Sequence, residues 1–321
     1  MYTTIRLQGN IEQLELCTPS ADPLHQVFLS VLDLLQPGAN LTSLDVAQLQ
    51  TNNLYARMLI DALMQNTTIT KLVVGACIFS SGFNGAADKF AKYLTKENAT
   101  LKKLTIRAHH YLDRDGMKVV ARAISYASML EEVVADLSLM ADLRLMDPEE
   151  MALFAEVVER SQSLRTFSVT RLKCCKRFMT PYIDELMSSR SHAELMLPWL
   201  SALPKHTTLL KLEFDLQGVG VNECCDFFRA MAMNNSLQLV IVRNITLVNG
   251  LRKVFRLMGT CGLSGKLFTV DLHVRPLNIP DLPECPFVTT VTLSYNHIKR
   301  LEVFKPAFGV HALELSSCDI A

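Results

Sequence analysis

Apolar residues recur along most of the chain in a six-residue pattern, apolar-x-x-apolar-x-apolar. Alternation of this kind predicts short strands that bury every second side chain. The copies are Ile11/Leu14/Leu16, Leu41/Leu44/Val46, Ile69/Leu72/Val74, Leu101/Leu104/Ile106, Leu130/Val133/Ala135, Leu164/Phe167/Val169, Leu209/Leu212/Phe214, Leu237/Val240/Val242, Leu267/Val270/Leu272, Val288/Val291/Leu293 and Val310/Leu313/Leu315. Most copies begin about 30 residues apart, as internal repeats do.

Amphipathic helices are predicted between the strands, because apolar residues recur there at steps of three and four. These helices cover residues 54–64, 86–94, 117–126, 148–160 and 193–203. The fourth is well marked, since Asp147 suits an N-cap and Pro148 suits the first helical position. A strand and a helix in every repeat predict an α/β solenoid.

This repeat resembles the leucine-rich-repeat family over nearly the whole chain, and its length resembles the ribonuclease-inhibitor class, found also in NOD-like receptors. The resemblance implies a horseshoe-shaped solenoid with a parallel concave β-sheet and convex helices. We expect one domain over residues 1–321 with about eleven repeats. Cys77 and Cys318 match the family's Asn-or-Cys position, whereas Leu49, His109 and other residues depart from it.

Two irregularities interrupt the repeat. The step from Leu164 to Leu209 is long, and we expect its excess to form an insertion over residues 171–190 at one rim. Residues 267–321 are expected to form shorter, helix-poor repeats, since prolines interrupt them. The last copy stops at Ala321 without a polar cap, which suggests a fragment of a longer protein or closure by a partner.

Composition narrows the choice of partner and compartment. The formal net charge is zero, which disfavours nucleic acid as a partner, and no apolar run is long enough to span a membrane. The nine scattered cysteines suit a reducing compartment, so we expect a cytoplasmic protein. Asn-x-Ser/Thr sequons favour a secreted protein, but the first four precede predicted strands, where Asn suits a turn. They begin at Asn40, Asn66, Asn98, Asn234 and Asn244.

We find no catalytic motif, and we expect neither enzymatic activity nor a cofactor. The neighbouring cysteines of Cys174-Cys175 and Cys224-Cys225 lack the spacing of a zinc site. Gly218 and Gly220 follow a strand, but Glu223 stands where a dinucleotide loop needs glycine. The single tryptophan, Trp199, is expected in the core.

Charged residues occupy the strand positions that point away from the core. Neighbouring strands place opposite charges side by side, which fits either ordinary solvated cross-strand pairs or a mixed-charge binding face. Basic residues in the insertion suit an acidic partner, unless the insertion is passive surface. The candidates are Lys102, Lys103, Arg107, Glu131, Glu132, Asp136, Lys173, Lys176, Arg177, Lys211, Glu213, Asp215, Arg243 and His273.

These features favour a protein-recognition module, and the resemblance suggests the sensor region of a NOD-like-receptor-type protein. One alternative is the substrate-recruiting subunit of an F-box-type ubiquitin ligase, although no helical adaptor segment precedes the first repeat. A third hypothesis is a Ran-type GTPase-activating protein, which we rank lower because no catalytic residue can be placed by motif. The fold alone does not identify the partner.

Overall fold

The computed structural model describes most of the chain. The described residues are 13–15, 24–36, 38–49, 51–80, 82, 85–97, 99–108, 113–137, 148–171, 193–216, 219–245, 251–272, 285–294, 297–298, 312–316 and 319–320. They belong to two compact units: unit 1 comprises Met1–Asp142 with Arg160–Leu164, and unit 2 comprises Leu143–Glu159 with Arg165–Ala321. The prediction of a single domain stays a prediction.

Strands and helices alternate along the described chain. The strands are β1 Gln13–Glu15, β2 Ser43–Asp45, β3 Lys71–Gly75, β4 Lys103–Arg107, β5 Glu132–Leu137, β6 Thr166–Arg171, β7 Lys211–Asp215, β8 Leu239–Ile245, β9 Leu267–Leu272, β10 Val288–Ser294, β11 His297–Ile298, β12 Ala312–Ser316 and β13 Asp319–Ile320. The α-helices are α1 Leu24–Leu34, α2 Asn53–Gln65, α3 Ala86–Thr95, α4 Arg114–Tyr126, α5 Pro148–Arg160, α6 Ala193–Lys205, α7 Val221–Met233 and α8 Leu251–Thr260. A 3₁₀ helix covers Ala76–Phe79.

In unit 1, strands β1 to β5 pair in sequence order, and every pair is parallel. The predicted repeat fixes the register. Leu44 lies opposite Leu72, Leu72 opposite Leu104, and Leu104 opposite Val133. All four side chains are buried. The apolar positions of successive repeats therefore stack into one continuous core.

In unit 2, strands β6 to β10 and β12 follow the same parallel order, and β11 pairs with β13 in a second small sheet. Aromatic rings join the helices to the strands here. Trp199 of α6 packs on Phe214 of β7 with ring centroids 4.6 Å apart, and Phe214 packs on Phe227 of α7 at 4.9 Å. Trp199 is fully buried, as predicted. Each unit thus has the parallel strands and alternating helices of a leucine-rich-repeat solenoid, which confirms the predicted fold class.

The predicted helices are confirmed within a few residues at their ends. The largest difference is in α4, which begins at Arg114 rather than at Met117. Asp113 accounts for the earlier start, because its carboxylate accepts a hydrogen bond from the Gly116 N–H at 3.0 Å. Gly116 is required there, since an added Cβ would collide with the backbone carbonyl of Phe79.

Strand β9 follows the alignment of the repeats on one side only. Against β10 the alignment holds, with Val270 opposite Val291 and Leu272 opposite Leu293. Against β8 it is shifted by two residues, because Val240 lies opposite Phe268 and Val242 opposite Val270. Leu267, expected in the core, is 55% exposed. A shift of two residues keeps the same side chains on each face of a strand, so the apolar pattern cannot distinguish the two registers. Phe268 takes the core position instead and packs against Phe228 of α7.

Polar side chains link consecutive repeats at the turn before each strand. In the first set, a Thr or Ser stands one residue before the first apolar residue of its copy. Its hydroxyl donates a hydrogen bond to a backbone carbonyl in the preceding copy, that of the first apolar residue there. The bonds run from Thr68 to Leu41 at 2.7 Å, Thr100 to Ile69 at 2.8 Å, Ser163 to Leu130 at 2.8 Å and Ser236 to Leu209 at 2.9 Å. Such bonds occur in each unit. We use the name turn ladder for these hydroxyl bonds together with the side-chain bonds of the second set, described next.

A second set lies three residues before the first apolar residue. Asn234 is fully buried, and its Oδ1 accepts from the N–H groups of Ser236 at 3.0 Å and Leu237 at 2.7 Å. Its Nδ2 donates to the carbonyls of Leu203 and His206. Asn66 makes the equivalent bonds in unit 1. The side chain thus ties its own turn to the end of the helix in the preceding repeat.

His206 occupies the same turn-ladder position one repeat before Asn234. Its Nδ1 accepts hydrogen bonds from the N–H groups of Thr208 and Leu209, at 3.2 and 3.0 Å. A nitrogen that accepts two hydrogen bonds carries no proton, so the ring proton is on Nε2 when the imidazole is neutral. The position therefore selects for a side-chain acceptor rather than for asparagine itself.

We predict that Asn234→Ala lowers the free energy of unfolding by about 3 kcal/mol, because it leaves several buried backbone groups without partners. His206→Asn is the matched control and should change it by less than about 1 kcal/mol, since asparagine supplies the same acceptor. Denaturant unfolding followed by Trp199 fluorescence measures both variants. Equal stability of Asn234→Ala and the wild type would show that the turn ladder contributes nothing.

Candidate functional site

The candidate site is the face of the strands opposite the buried apolar residues. We define the open face of unit 1 by the residues Asp45, Lys103, Thr105, Arg107, Glu132, Val134 and Asp136, with Lys102 and Glu131 just before their strands. The open face of unit 2 is defined by Ser168, Lys211, Glu213, Ile241 and Arg243. Alternation within each strand puts these side chains on the side away from the core.

Oppositely charged side chains lie side by side on the open face of unit 1, as the sequence predicts. Lys103 Nζ lies 2.8 Å from Glu132 Oε2, and the two residues face each other across β4 and β5. The hydrogen bond and charge of Glu132 raise the pKa of Lys103 above its ordinary value. Lys102 Nζ lies 3.9 Å from Glu131 Oε1, a looser contact between half-exposed groups.

Arg107 is held between two carboxylates on this face. Its Nη1 lies 3.1 Å from Asp45 Oδ2, and its Nε lies 3.6 Å from Asp136 Oδ2. Asp45 is on β2, two strands away from β4, so the side chain crosses β3. Gly75 of β3 lies opposite Arg107 and has no side chain to obstruct the crossing.

Val73 of β3 is an apolar, buried residue on the same face. This valine lies between Asp45 and Thr105 in the register, on the open face, yet only 5% of it is exposed. The Arg107 side chain crosses β3 on this same face to reach Asp45. The guanidinium side chain itself stays 30% exposed. The open face of unit 1 therefore presents fixed charges of both signs around a small, less polar centre of Thr105 and Val134.

On the open face of unit 2, Arg243 and Glu213 form the main pair, with Nε and Oε1 2.8 Å apart. Ser168 donates a hydrogen bond to the other Glu213 oxygen at 3.1 Å. Lys211 is half-buried, whereas Asp215 is only 6% exposed. The bonding to the neighbouring strand β8 continues past Asp215, where the Leu216 N–H donates to the Arg243 carbonyl. Asp215 is therefore a poor candidate for direct contact with a partner.

Several candidates lie outside the described residues, so their placement stays untested. They are Lys173, Lys176, Arg177 and His273, together with the insertion after Arg171. Conversely, three residues that take part in the open-face contacts were not among the sequence candidates, namely Asp45, Ser168 and Gly75. Asp45 and Ser168 each stand between two apolar residues of a copy, at the same position as Thr105, so the rule that found the other candidates also selects them.

The described cysteines are free thiols. Burial raises the pKa of Cys285 to about 12, and burial together with Cys225 raises that of Cys224 further. Both therefore remain protonated at neutral pH and are poor nucleophiles. Cys77, which matches the family's Asn-or-Cys position, lies exposed in the 3₁₀ helix while its neighbours Ile78 and Phe79 are buried.

The described residues contain neither a metal-binding cluster nor a membrane-spanning helix. Among these residues, no group of three or more His, Cys, Asp or Glu side chains could hold a metal ion. None of the helices within the described part of the chain is both long enough and apolar enough to cross a membrane.

Reversing both lysines, in Lys102→Glu with Lys103→Glu, should change the free energy of unfolding by about 1 kcal/mol or less. Exposed ion pairs contribute little to stability, because water solvates both partners well. Thermal unfolding of the double variant measures the effect. A loss of several kcal/mol would mean that these side chains support the core rather than form a solvated face.

Comparison with known proteins does not assign this chain to a family. No family model matches this sequence, and no curated protein matches it. Among solved structures, the leucine-rich repeat-containing protein LegL7 from Legionella pneumophila is similar, with a TM-score of 0.49 and 17% sequence identity. The alignment covers 94% of this chain and 89% of LegL7. The assignment of a leucine-rich-repeat fold rests on the strand register and helix packing described above.

Proposed function

We propose that this chain is a protein-recognition module that binds its partner through the open face of its strands. The observation that carries the proposal is Arg107, which is held by Asp45 and Asp136 while part of its side chain remains exposed. A guanidinium in a fixed orientation loses little entropy when a partner binds. Arginine is also enriched among the residues that contribute most to protein interfaces.

The pairing of charges indicates what the partner offers. Lys103 faces Glu132 and Arg107 faces Asp136 on adjacent strands, so the open face of unit 1 carries both signs in alternation. A partner that matches this pattern presents acidic groups to β4 and basic groups to β5. Such complementarity adds specificity and association rate more than affinity. The less polar Thr105 and Val134 between the charges suit the small apolar centre of an interface.

The finer proposal is the sensor region of a NOD-like-receptor-type protein in the cytoplasm. The free thiols of Cys224, Cys225 and Cys285 suit a reducing compartment. The two alternatives, substrate recruitment for an F-box-type ligase and activation of a Ran-type GTPase, gain no specific observation from the described residues. The insertion over residues 171–190 remains a proposed second contact.

The test compares two double variants that change the net charge equally. Lys102→Glu with Lys103→Glu alters the open face of unit 1, and Lys92→Glu with Arg122→Glu alters exposed positions on α3 and α4. Quantitative mass spectrometry of proteins captured from native cells identifies the partner, and its affinity for each purified variant is then measured. We expect at least tenfold weaker binding for the open-face variant, about 1.4 kcal/mol, and unchanged binding for the helix variant.

Three outcomes would contradict the proposal. Equal affinities for both variants would move the contact away from the open face of unit 1. Weaker binding by the helix variant alone would place it on α3 and α4. Reproducible failure of the folded wild-type chain to capture any protein would remove the basis for a recognition module.

A further inference from the structure

Two glycosylation sequons coincide with the turn ladder. They are residues 66–68 and 234–236, with the sequences Asn-Thr-Thr and Asn-Asn-Ser. N-glycans are attached to the side-chain amide of the sequon asparagine, and an exposed surface loop is the usual setting for such a site. Asn66 and Asn234 are instead 3% and 0% exposed.

The amide nitrogens that would carry the glycan are already hydrogen-bond donors. Asn66 Nδ2 donates to the Leu35 carbonyl at 3.2 Å. Asn234 Nδ2 donates to the carbonyls of Leu203 at 2.7 Å and His206 at 2.8 Å. A glycan replaces one hydrogen of this nitrogen, and a buried amide leaves no room for the sugar. A glycan on this nitrogen would separate each turn from the end of the helix in the preceding repeat.

The hydroxyls of the same sequons are also engaged in the fold. Thr68 donates to the Leu41 carbonyl and Ser236 to the Leu209 carbonyl, each in the preceding copy. A glycan-transferring enzyme needs access to both the asparagine and the hydroxyl residue. The folded chain offers neither, so transfer at these two sites requires the unfolded chain.

Asn40 differs, although it also begins a sequon before a strand. It lies one residue before the first apolar residue Leu41, whereas Asn66 and Asn234 lie three residues before Ile69 and Leu237. Asn40 and Thr42 are both exposed. A glycan on Asn40 would point into solvent, so this sequon is an internal control.

We infer that N-glycosylation at Asn66 or Asn234 and folding of the repeats exclude each other, so a chain that receives a glycan at either site before it folds cannot complete its core. In the secretory route, transfer meets chains before they have folded, and these sequons are then accessible. The inference does not depend on the proposed binding function, because it concerns the core of each unit and not the open face.

The test expresses the full chain in eukaryotic cells with and without a cleavable secretory signal peptide. Protease-resistant, folded protein is separated from protease-sensitive protein, and mass spectrometry measures glycan occupancy at each sequon. We expect occupancy at Asn66 and Asn234 to be at least tenfold lower in the folded fraction, with Asn40 occupied equally in both. The folded yield should be several-fold lower in the secretory route and should recover when N-glycan transfer is inhibited.

A second pair of variants keeps the turn ladder and removes only the sequons. Thr67→Pro and Asn235→Pro block transfer, and the extended backbones of Asn66 and Asn234 suit a following proline. These variants should fold as the wild type does in the non-secretory route. In the secretory route, the folded fraction should gain chains that carry Asn40 glycans. Folded wild-type protein with a glycan on Asn66 or Asn234, or equal folded yields from both routes, would overturn the inference.

Discussion

The hydrogen bonds of the turn ladder are the constraint on which the rest of each unit depends. A parallel strand pairs in the correct register only if the turn before it is held at a fixed position along the strand direction relative to the preceding repeat. Thr68 and Ser236 do this by donating to carbonyls just before the strand of the preceding repeat. Asn66 and Asn234 do it by donating to carbonyls at the end of the helix in the preceding repeat. Because Asn66 and Asn234 are buried, losing one of these side chains costs the desolvation of the backbone groups that it bonds.

Register in turn decides what the open face can present. With Leu72 opposite Leu104, Gly75 falls opposite Arg107, and the arginine can cross β3 to Asp45. A side chain at position 75 would meet the Ala47 carbonyl at 2.8 Å, so the glycine is also needed for backbone packing. The same residue therefore serves the fold and the exposed charge network. The ion pairs on this face add little stability, so their residues can change to suit a partner without loss of the fold.

Much of the fold was predictable, because an apolar pattern repeated many times is hard to satisfy in any other architecture. The helix α5 was placed at its observed ends, since Pro148 marks the first helical residue. The pairing of Lys103 with Glu132 followed from equal positions in neighbouring copies. The reach of Arg107 over β3 did not follow, because it depends on side-chain length and on the glycine in between. The burial of Asp215 did not follow either, since the residue stands at an open-face position and is nevertheless only 6% exposed.

The sequence by itself determined the alternation of strands and helices, most of the residues that enter the core and the sign of each charge on the open face. Local periodicity carries all of this information. Only the tertiary structure decided that Phe268 rather than Val270 lies opposite Val240, because two registers separated by two residues bury the same face. Tertiary structure also decided that the Asn66 and Asn234 sequons are structural while that of Asn40 is exposed. A three-residue motif specifies chemistry, but burial and hydrogen-bond partners come from the neighbouring repeat.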